Sequence, residues 1–268
     1  MNIHDYLHVI KRSHGIVPEF VNPKYIPGSR TEYLQPTRLE SLMQDYPKLL
    51  LSTSHCEKIN TTCLVVTIPR FMAWSPVKND AVRAALLREK TGFEESPRSG
   101  EMDVWTLFRK ELNSMNDCPC CNADRHKHVD VDEGAFVSLW PEAGATTEEL
   151  HHHLGDGVHI RKGSVVIIRS RNWFLENVDI DGCCILGEDG LDEETQKGSL
   201  HLRNVKIQNK GWKYVPVDSN DMSVDVVYRM RGYTVERQEQ CVFSLKAKGE
   251  YVIDSKEYLG TETVVLSG

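Results

Sequence analysis

The sequence lacks the long apolar runs of membrane-spanning proteins, the basic N-terminal segment of secreted proteins and the positive charge of nucleic-acid-binding proteins. No apolar run approaches the ~20 residues that span a bilayer, and the longest candidate, Cys63–Ile68, has the length of a strand. No basic segment followed by an apolar stretch begins the chain, so no secretory signal is predicted. The net charge of −7 argues against a nucleic-acid partner.

Motifs that hold nucleotide phosphates are also missing. Neither G-x-x-x-x-G-K-[ST] nor G-x-G-x-x-G is present, and no G-x-S-x-G hydrolase motif occurs. The nearest glycine pair, Gly155 and Gly157, leads into a predicted strand rather than a helix. The sequence therefore offers no cradle for a nucleotide triphosphate.

Cysteines are present but do not form the pattern of a disulfide-stabilised secreted domain. The adjacent pairs and the absence of a predicted signal favour reduced thiols in a cytoplasmic protein. The eight cysteines are Cys56, Cys63, Cys118, Cys120, Cys121, Cys183, Cys184 and Cys241.

Three zones of different composition are predicted: a mixed α/β domain over 1–112, a Cys/His-rich linker or insertion over 113–134, and a β-rich domain over 135–268. In the first zone, helical spacing or buried-strand composition predicts six elements. These are a helix from Tyr6 to about Gly15, a strand at Pro18–Val21, a helix over Thr37–Asp45, a strand at Cys63–Ile68, and helices over Asp80–Lys90 and Glu101–Leu112.

In the third zone, Thr146 and Glu149 have the spacing of a capping box and predict a short helix. Short runs rich in valine, isoleucine and aromatic residues follow, separated by Gly, Asn and Asp. Their close spacing without helices between them predicts either a β-helix or a compact sandwich. The runs are 158–160, 165–168, 173–175, 178–180, 183–186, 200–207 and 224–230.

The first zone contains the candidate binding residues. Lys78 follows a predicted strand and precedes the helix that begins at Asp80, where free N–H groups and the helix dipole favour a phosphate. A solvated loop lysine is the alternative, because most lysines are exposed.

Polar residues of the predicted Thr37–Asp45 helix form a second candidate group. Glu40 and Gln44 lie four residues apart, where their side chains would share a helix face and bind sugar hydroxyls. Arg38 would pair with a phosphate or a carboxylate, and Asn22 ends the preceding strand at a position where ligands collect in α/β sheets. An ordinary amphipathic helix and a plain turn are the alternatives.

The linker contains residues of the types that bind zinc. Cys118, Cys120, Cys121, His126 and His128 supply thiolate and imidazole ligands, but their spacing departs from the common zinc patterns. The histidine triplet 151–153 is a poorer candidate, because successive helical residues point about 100° apart.

Several segments just described resemble, in order, the C-terminal half of the UDP-sugar pyrophosphorylases of plants and trypanosomatid protists. The distinctive segments contain Met-Gln-Asp-Tyr-Pro and Pro-Val-Lys-Asn. The matching segments are 19–25, 37–48, 73–79, 99–102, 163–186, 209–212 and 231–233.

The resemblance implies a Rossmann-like nucleotidyltransferase core followed by a left-handed β-helix. It also implies a Mg²⁺-dependent uridylyltransferase that makes UDP-sugars and pyrophosphate from UTP and sugar 1-phosphates. By the same resemblance, Lys78 contacts a phosphate and neutralises charge in the transition state. Glu40 binds sugar hydroxyls, Asn22 is a weaker sugar-side candidate, and Arg38 and Gln44 lie in or near the site.

Full-length members carry a glycine-rich nucleotide loop and a magnesium aspartate in their N-terminal half, and neither is visible in this sequence. The expectation is therefore a fragment or single domain of such an enzyme, or a chain that needs a partner carrying that half, and in each case one that is inactive alone. Two alternatives stay open: a non-catalytic assembly or regulatory module built on the β-helix, and a zinc-binding interaction protein.

Overall fold

A computed structural model describes residues 3–54, 65–117, 128–144, 146–187 and 198–267. The fold is mixed α/β with parallel sheets. Its contacts divide the chain into an N-terminal unit, Met1–Thr67, and a C-terminal unit, Ile68–Gly268. The division at 113–134 stays a prediction. Among the described residues, no helix combines the length and the apolarity that crossing a membrane requires.

The N-terminal unit consists of two helices and a small hairpin. Its elements are α1 (Ile3–Ser13), β1 (Glu19–Val21), β2 (Leu39–Ser41), a 3₁₀ turn (Met43–Asp45) and α2 (Tyr46–Ser54). The predicted first helix and first strand are confirmed. Val9, Tyr46 and Leu50 form the buried centre of this unit, where α1 packs on α2.

Two predictions in the N-terminal zone are wrong. The Thr37–Asp45 segment is not a helix, because Leu39–Ser41 pairs with β1 and only a 3₁₀ turn follows. The strand partner satisfies the backbone groups that a helix would have bonded internally. Of the predicted strand Cys63–Ile68, the first two residues lie outside the described residues. Val65 and Val66 are 92% and 76% exposed and belong to no strand.

Three helices open the C-terminal unit: α3 (Arg70–Ala73), α4 (Ala81–Thr91) and α5 (Pro97–Asn113). The start and end signals of α4 are confirmed, since Asp80 accepts a hydrogen bond from Arg83 N at 2.9 Å and Gly92 adopts φ 78°. The helix predicted at Glu101–Leu112 is α5, which begins four residues earlier, at Pro97.

After α5 the chain alternates between two sheets of five parallel strands each, so it advances as a stack of coils. One sheet has the order β13-β9-β7-β5-β3 and the other β14-β12-β8-β6-β4. The strands are β3 (Val129–Val131), β4 (Phe136–Leu139), β5 (Val158–Ile160), β6 (Val165–Ile168), β7 (Asn172–Asp181), β8 (Cys183–Leu186), β9 (Ser199–Gln208), β12 (Cys241–Leu245), β13 (Glu250–Leu259) and β14 (Glu262–Leu266).

Two insertions interrupt the coils within the described part of the chain. Helix α6 (Thr147–His152) begins with the predicted capping box at Thr146 and Glu149. An antiparallel hairpin, β10 (Trp212–Pro216) and β11 (Tyr233–Arg237), encloses α7 (Val226–Arg231). The strand predicted over residues 224–230 is therefore wrong, because Asp225 caps a helix there and Gly232 ends it.

The coils share one core because equivalent apolar residues stack in register. Val131, Ile160, Ile180 and Ile207 occupy successive aligned positions, and all are buried. Each of these side chains is buried against the equivalent side chain of the next coil and removes apolar surface from water. This burial is the dominant stabilising effect in such a stack. The core requires strict register, because a slip of one residue would point these side chains outward.

Residues with a left-handed backbone conformation (positive φ) lie at a corner of the coil. Asn177 and Asn204 have φ near 52°, and Ser255 has 56°, all at the same register position. Asn177 Nδ2 donates to Asn204 Oδ1 at 2.7 Å, and Asn204 Nδ2 donates to Asp254 Oδ1 at 2.8 Å. The two runs predicted at 173–175 and 178–180 are thus one strand, β7, bent at Asn177.

Candidate functional site

The loop that carries Lys78 lies between α3 and α4 and is hydrogen-bonded to the segment that follows α4. Lys78 N and Asn79 N both donate to Glu95 O, at 2.7 and 3.0 Å, and Asn79 Nδ2 donates to Glu94 O at 2.9 Å. Asn79 is buried, whereas Lys78 is exposed. The backbone is therefore fixed while the ammonium group projects into solvent.

The Lys78 ammonium is left without an acidic partner. Among the described residues no carboxylate forms a salt bridge with it, and its Nζ lies 5.9 Å from the centre of the Trp74 ring. The nearby Arg70, in contrast, contacts Glu95 at 3.3 Å and stacks over Phe93. Lys78 is thus the cation of this loop that can accept an anionic ligand without breaking an ion pair.

The helix dipole contributes less here than the sequence suggested. The side chain of Asp80 already occupies the N-cap of α4 and brings a negative charge to the helix end. A phosphate beside Lys78 would meet that carboxylate as well as the free N–H groups. The lysine charge, rather than the helix end, is therefore the main attraction for an anion.

Helix α5 supports the same loop through the segment Ser99–Met102. A Cβ atom on Gly100 would lie 3.2 Å from Val77 Cγ2, so glycine lets the loop approach the helix closely. Ser75 Oγ donates to Asp103 Oδ2 at 2.6 Å, which ties the loop to the next turn of the helix. The loop geometry therefore depends on packing against α5.

Glu101 connects α5 to the β10–β11 insertion. Its carboxylate accepts a hydrogen bond from Arg231 Nε at 2.9 Å and another from the Tyr233 hydroxyl. Burial, with the neighbouring Glu101 carboxylate, raises the pKa of Tyr233 to about 12, so this hydroxyl stays protonated and donates at neutral pH. Two segments that carried the family resemblance, 99–102 and 231–233, are thus direct neighbours.

A cavity of about 600 Å³ lies between α4, α5 and the insertion. Its floor is aromatic and includes Trp105, Phe136 and Tyr214. Arg88 and Arg98 at its wall share one carboxylate, because both contact Glu94 Oε1, at 2.9 and 3.0 Å. The cavity therefore combines an aromatic surface with arginines that are held by ion pairs.

The other sequence-predicted substrate residues lie in the N-terminal unit. Glu40 is in β2 opposite Phe20, and Asn22 and Arg38 come directly beyond the last strand pair, Val21 with Leu39. Asn22, Arg38 and Glu40 are thus gathered along one hairpin and are exposed.

Gln44 lies in the 3₁₀ turn after that hairpin and is also exposed. The argument that Glu40 and Gln44 share a helix face is wrong, since no helix forms there.

Four of the zinc candidates, Cys118, Cys120, Cys121 and His126, lie outside the described residues, so the zinc site stays a prediction. The fifth, His128, is exposed, and its backbone N donates to Asp156 Oδ1 at 2.7 Å.

The histidine triplet does not converge on one point. His151 is buried, and the ring of His153 stacks on Trp173 with a centroid distance of 4.8 Å.

A group that the sequence reading missed comprises Asp130, Asp132 and His159. Asp130 on β3 pairs with His159 on β5, and His159 Nε2 lies 3.8 Å from Asp130 Oδ2 and 3.4 Å from Asp132 Oδ1. A backbone hydrogen bond from Lys162, together with His159, holds the pKa of Asp132 below its usual value. The three ligand atoms lie within 4.8 Å of one another and could hold a divalent cation.

A repeated tripeptide could have revealed that group. Residues 129–131, 158–160, 178–180 and 205–207 read Val-Asp-Val, Val-His-Ile, Val-Asp-Ile and Val-Lys-Ile. Aligned coils place the central polar residues in one outward-facing column.

Comparison with known proteins finds relatives of the kind that the sequence motifs indicated. No protein-family model matches the chain. The chain is 28% identical over 253 residues to the UDP-sugar pyrophosphorylase of Arabidopsis thaliana. The matched segment is 93% of this chain and 38% of that relative. The enzymes of Oryza sativa subsp. indica and subsp. japonica are 27% and 26% identical over 249 residues, or 90% of this chain.

The chain spans 37–38% of the length of these curated relatives. The resemblance indicated by the motifs is confirmed: over about nine-tenths of its length, this chain is similar to UDP-sugar pyrophosphorylases.

Proposed function

We propose that this chain forms the sugar-phosphate side of a uridylyltransferase that makes UDP-sugars and pyrophosphate from UTP and sugar 1-phosphates. The similarity to UDP-sugar pyrophosphorylases supports the reaction class. The observation that carries the proposal is Lys78, an ammonium without a salt-bridge partner among the described residues, on a loop fixed by two backbone hydrogen bonds to Glu95 O.

The chemistry assigned to Lys78 is electrostatic. Phosphoryl transfer depends mostly on positioning and on neutralising charge at the phosphoryl oxygens. A fixed backbone with an unpaired cation meets both needs, because the ammonium reaches a phosphate without first breaking an ion pair. Lys78 would bind the phosphate of the sugar 1-phosphate or the α-phosphate of UTP, and would neutralise negative charge that develops in the transition state as pyrophosphate leaves.

The hairpin residues would recognise the sugar. Glu40 offers a carboxylate acceptor for sugar hydroxyls, and Asn22 offers both a donor and an acceptor. Arg38 would pair with a phosphate or a carboxylate, and Gln44 would support these residues from the 3₁₀ turn. All four are exposed and therefore accessible to a ligand.

Magnesium would shield the phosphates of UTP in the reaction. The Asp130, Asp132 and His159 group fits this role poorly, because Mg²⁺ prefers oxygen ligands and the group includes an imidazole. Asp132 Oδ2 also already accepts from Lys162 N at 2.8 Å. We assign no catalytic step to that group and expect the magnesium ligands outside the residues described.

The proposed architecture follows the resemblance: part of a Rossmann-like nucleotidyltransferase core and a left-handed β-helix. The stack of parallel coils supports the β-helix, and its left hand rests on the resemblance alone. Because no phosphate-cradling motif occurs in the sequence, we propose that the nucleotide loop is contributed from outside these residues. A cytoplasmic location stays a prediction from the cysteine pattern; Cys183, Cys184 and Cys241 are free and buried.

The test measures binding and turnover separately. Glucose 1-phosphate is titrated calorimetrically into the wild-type chain, Lys78→Ala and Lys90→Ala, the last a control at the opposite end of α4. We expect Lys78→Ala to weaken binding about tenfold or more, since a charge-assisted hydrogen bond is worth about 1.5–3 kcal/mol. Lys90→Ala should bind as the wild type does.

Turnover is followed as pyrophosphate release from UTP, Mg²⁺ and glucose 1-phosphate. We expect none from the chain alone and release after adding the N-terminal half of a plant UDP-sugar pyrophosphorylase, sensitive to Lys78→Ala. Equal binding and equal turnover by the Lys78 and Lys90 variants would contradict the proposal. Turnover by the chain alone would show that its nucleotide site is complete.

A further inference from the structure

The cavity between α4, α5 and the β10–β11 insertion has the size and the access of a ligand site. Its volume of about 600 Å³ falls within the ~300–1,000 Å³ of small-molecule pockets. Met102 and Met230 both line it and are 39% and 45% exposed, so a ligand can enter from solvent. Lys78 does not line this cavity, and the reaction proposed above makes no use of it.

The floor of the cavity is a cluster of three half-buried aromatic rings. The centre of the Phe136 ring lies 4.7 Å from the ring centres of both Trp105 and Tyr214. The three residues come from β4, α5 and β10, so the packing of the insertion completes the floor. Aromatic rings bind a further ring in offset-stacked or edge-to-face contact at similar centroid distances. The floor therefore favours a planar aromatic ligand.

Two of these side chains carry polar groups that are free to bind a ligand. Among the described residues, neither Trp105 Nε1 nor the Tyr214 hydroxyl forms a hydrogen bond, and both keep surface that solvent can reach. Burial raises the pKa of Tyr214, so its hydroxyl stays protonated at neutral pH. Both groups can therefore donate to an acceptor on a bound ligand.

The wall of the cavity carries a surplus of positive charge. Arg88 and Arg98 share the one carboxylate of Glu94, and each contacts it through a single guanidinium nitrogen. One positive charge and several N–H donors are therefore left over. The other carboxylate of the lining, Asp218, is exposed, accepts hydrogen bonds from Asn220 and is screened by water. A ligand with one negative charge would balance the arginine surplus.

We propose that this cavity binds a planar aromatic carboxylate, a ligand with one or two fused rings and a single negative charge. Its rings would pack on Trp105, Phe136 and Tyr214. Its carboxylate would accept hydrogen bonds from Arg98, with the Tyr214 hydroxyl as a further donor. This activity is separate from uridylyl transfer and needs no nucleotide site.

The test titrates three probes into the intact chain by calorimetry at low ionic strength. 1-Naphthoate has both features of the ligand, 1-naphthylmethanol lacks the charge, and cyclohexanecarboxylate lacks the aromatic ring. We expect one saturable site for 1-naphthoate and binding at least about fivefold weaker for each of the other two, because each loses one of the two attractions. No saturable binding of 1-naphthoate would overturn the proposal, and equal binding of 1-naphthylmethanol would overturn the role of the arginines.

Three variants assign the binding to this cavity. Arg98→Gln should weaken 1-naphthoate binding about fivefold or more and leave 1-naphthylmethanol binding unchanged, because it removes only the surplus charge. Tyr214→Phe should weaken 1-naphthoate binding about threefold, from one lost hydrogen bond. Ala85→Trp, at an exposed residue of α4 that lines the cavity, should abolish binding of both probes by filling the space. Unchanged binding in Arg98→Gln and Ala85→Trp would overturn the proposal.

Two controls exclude binding elsewhere. The Arg203 guanidinium contacts Glu176 on the β13-β9-β7-β5-β3 sheet, so Arg203→Gln should bind 1-naphthoate as the wild type does. Lys78→Ala should also bind it unchanged, and a loss there would assign the anion to the Lys78 loop instead. An equal loss in Arg203→Gln and Arg98→Gln would overturn the proposal. Circular dichroism verifies the folding of each variant.

Discussion

Asn209 is expected to be one of the most sensitive polar residues of the coil stack. It follows β9 and bonds the neighbouring coil: Cys183 N donates to Asn209 Oδ1 at 2.7 Å, and Asn209 Nδ2 donates to Cys183 O at 3.0 Å. Gly211 N donates to the same Oδ1 at 2.9 Å. One side chain thus satisfies three backbone groups around buried residues.

Asn209→Ala removes all three hydrogen bonds and adds nothing in their place. Cys183 is fully buried, so water cannot reach its N–H without opening the coil. A net hydrogen bond contributes about 0.5–1.5 kcal/mol, and a buried unpaired group costs about 1–3 kcal/mol. We therefore expect the free energy of unfolding to fall by about 3 kcal/mol.

The assay is urea denaturation followed by far-ultraviolet circular dichroism, with the m-value required to stay constant. The matched control is Asn172→Ala, because the Asn172 side chain has no hydrogen bond to another described residue. The control should change stability by less than about 0.5 kcal/mol, the usual range for surface substitutions. Equal effects of the two substitutions would refute the argument that Asn209 links the coils.

Two further predictions concern the same unit. Gly182→Ala should destabilise the coil stack by more than about 3 kcal/mol or prevent soluble expression, because the new Cβ would overlap Asn209 Oδ1 and O at a φ of 129°. The control Gly163→Ala has open space around the new Cβ and should cost only about 1 kcal/mol. Equal melting temperatures of the two variants would contradict this prediction. Burial holds the pKa of His153 below its usual 6.5, so the unfolded state binds more protons and stability should fall as pH drops below about 6.5 through that lowered pKa. His153→Gln should flatten this slope in thermal melts between about pH 5 and 7, and an unchanged slope would exclude the residue.

Helix ends were predictable from local sequence. Asp80 and Gly92 bound α4, and Thr146 with Glu149 begins α6, because a cap is made within one turn of chain and needs no distant partner. The same holds for short, β-branched strands such as Val165–Ile168, which is buried at every position. Signals confined to a few residues survive whatever the tertiary context.

Local patterns failed where another segment supplied the hydrogen-bond partners. The apolar spacing at 37–45 suggested a helix, but pairing of Leu39–Ser41 with Glu19–Val21 made it a strand. The valine and tyrosine content of 224–230 suggested a strand, but Asp225 and Gly232 bound a helix inside the insertion. Short segments carry too little propensity to resist such partners.

The candidate sites also differ in whether they depend on local sequence or on long-range contacts. From sequence, the position of Lys78 before α4 and the family resemblance were determined, because both depend on residues that lie close together along the chain. Only the tertiary structure brought Asp130 beside His159, Glu101 beside Arg231 and Tyr233, and Phe136 beside Trp105 and Tyr214. Those contacts depend on the register in which the coils and the insertion pack. No single motif sets that register, because it results from the burial of whole columns of apolar residues.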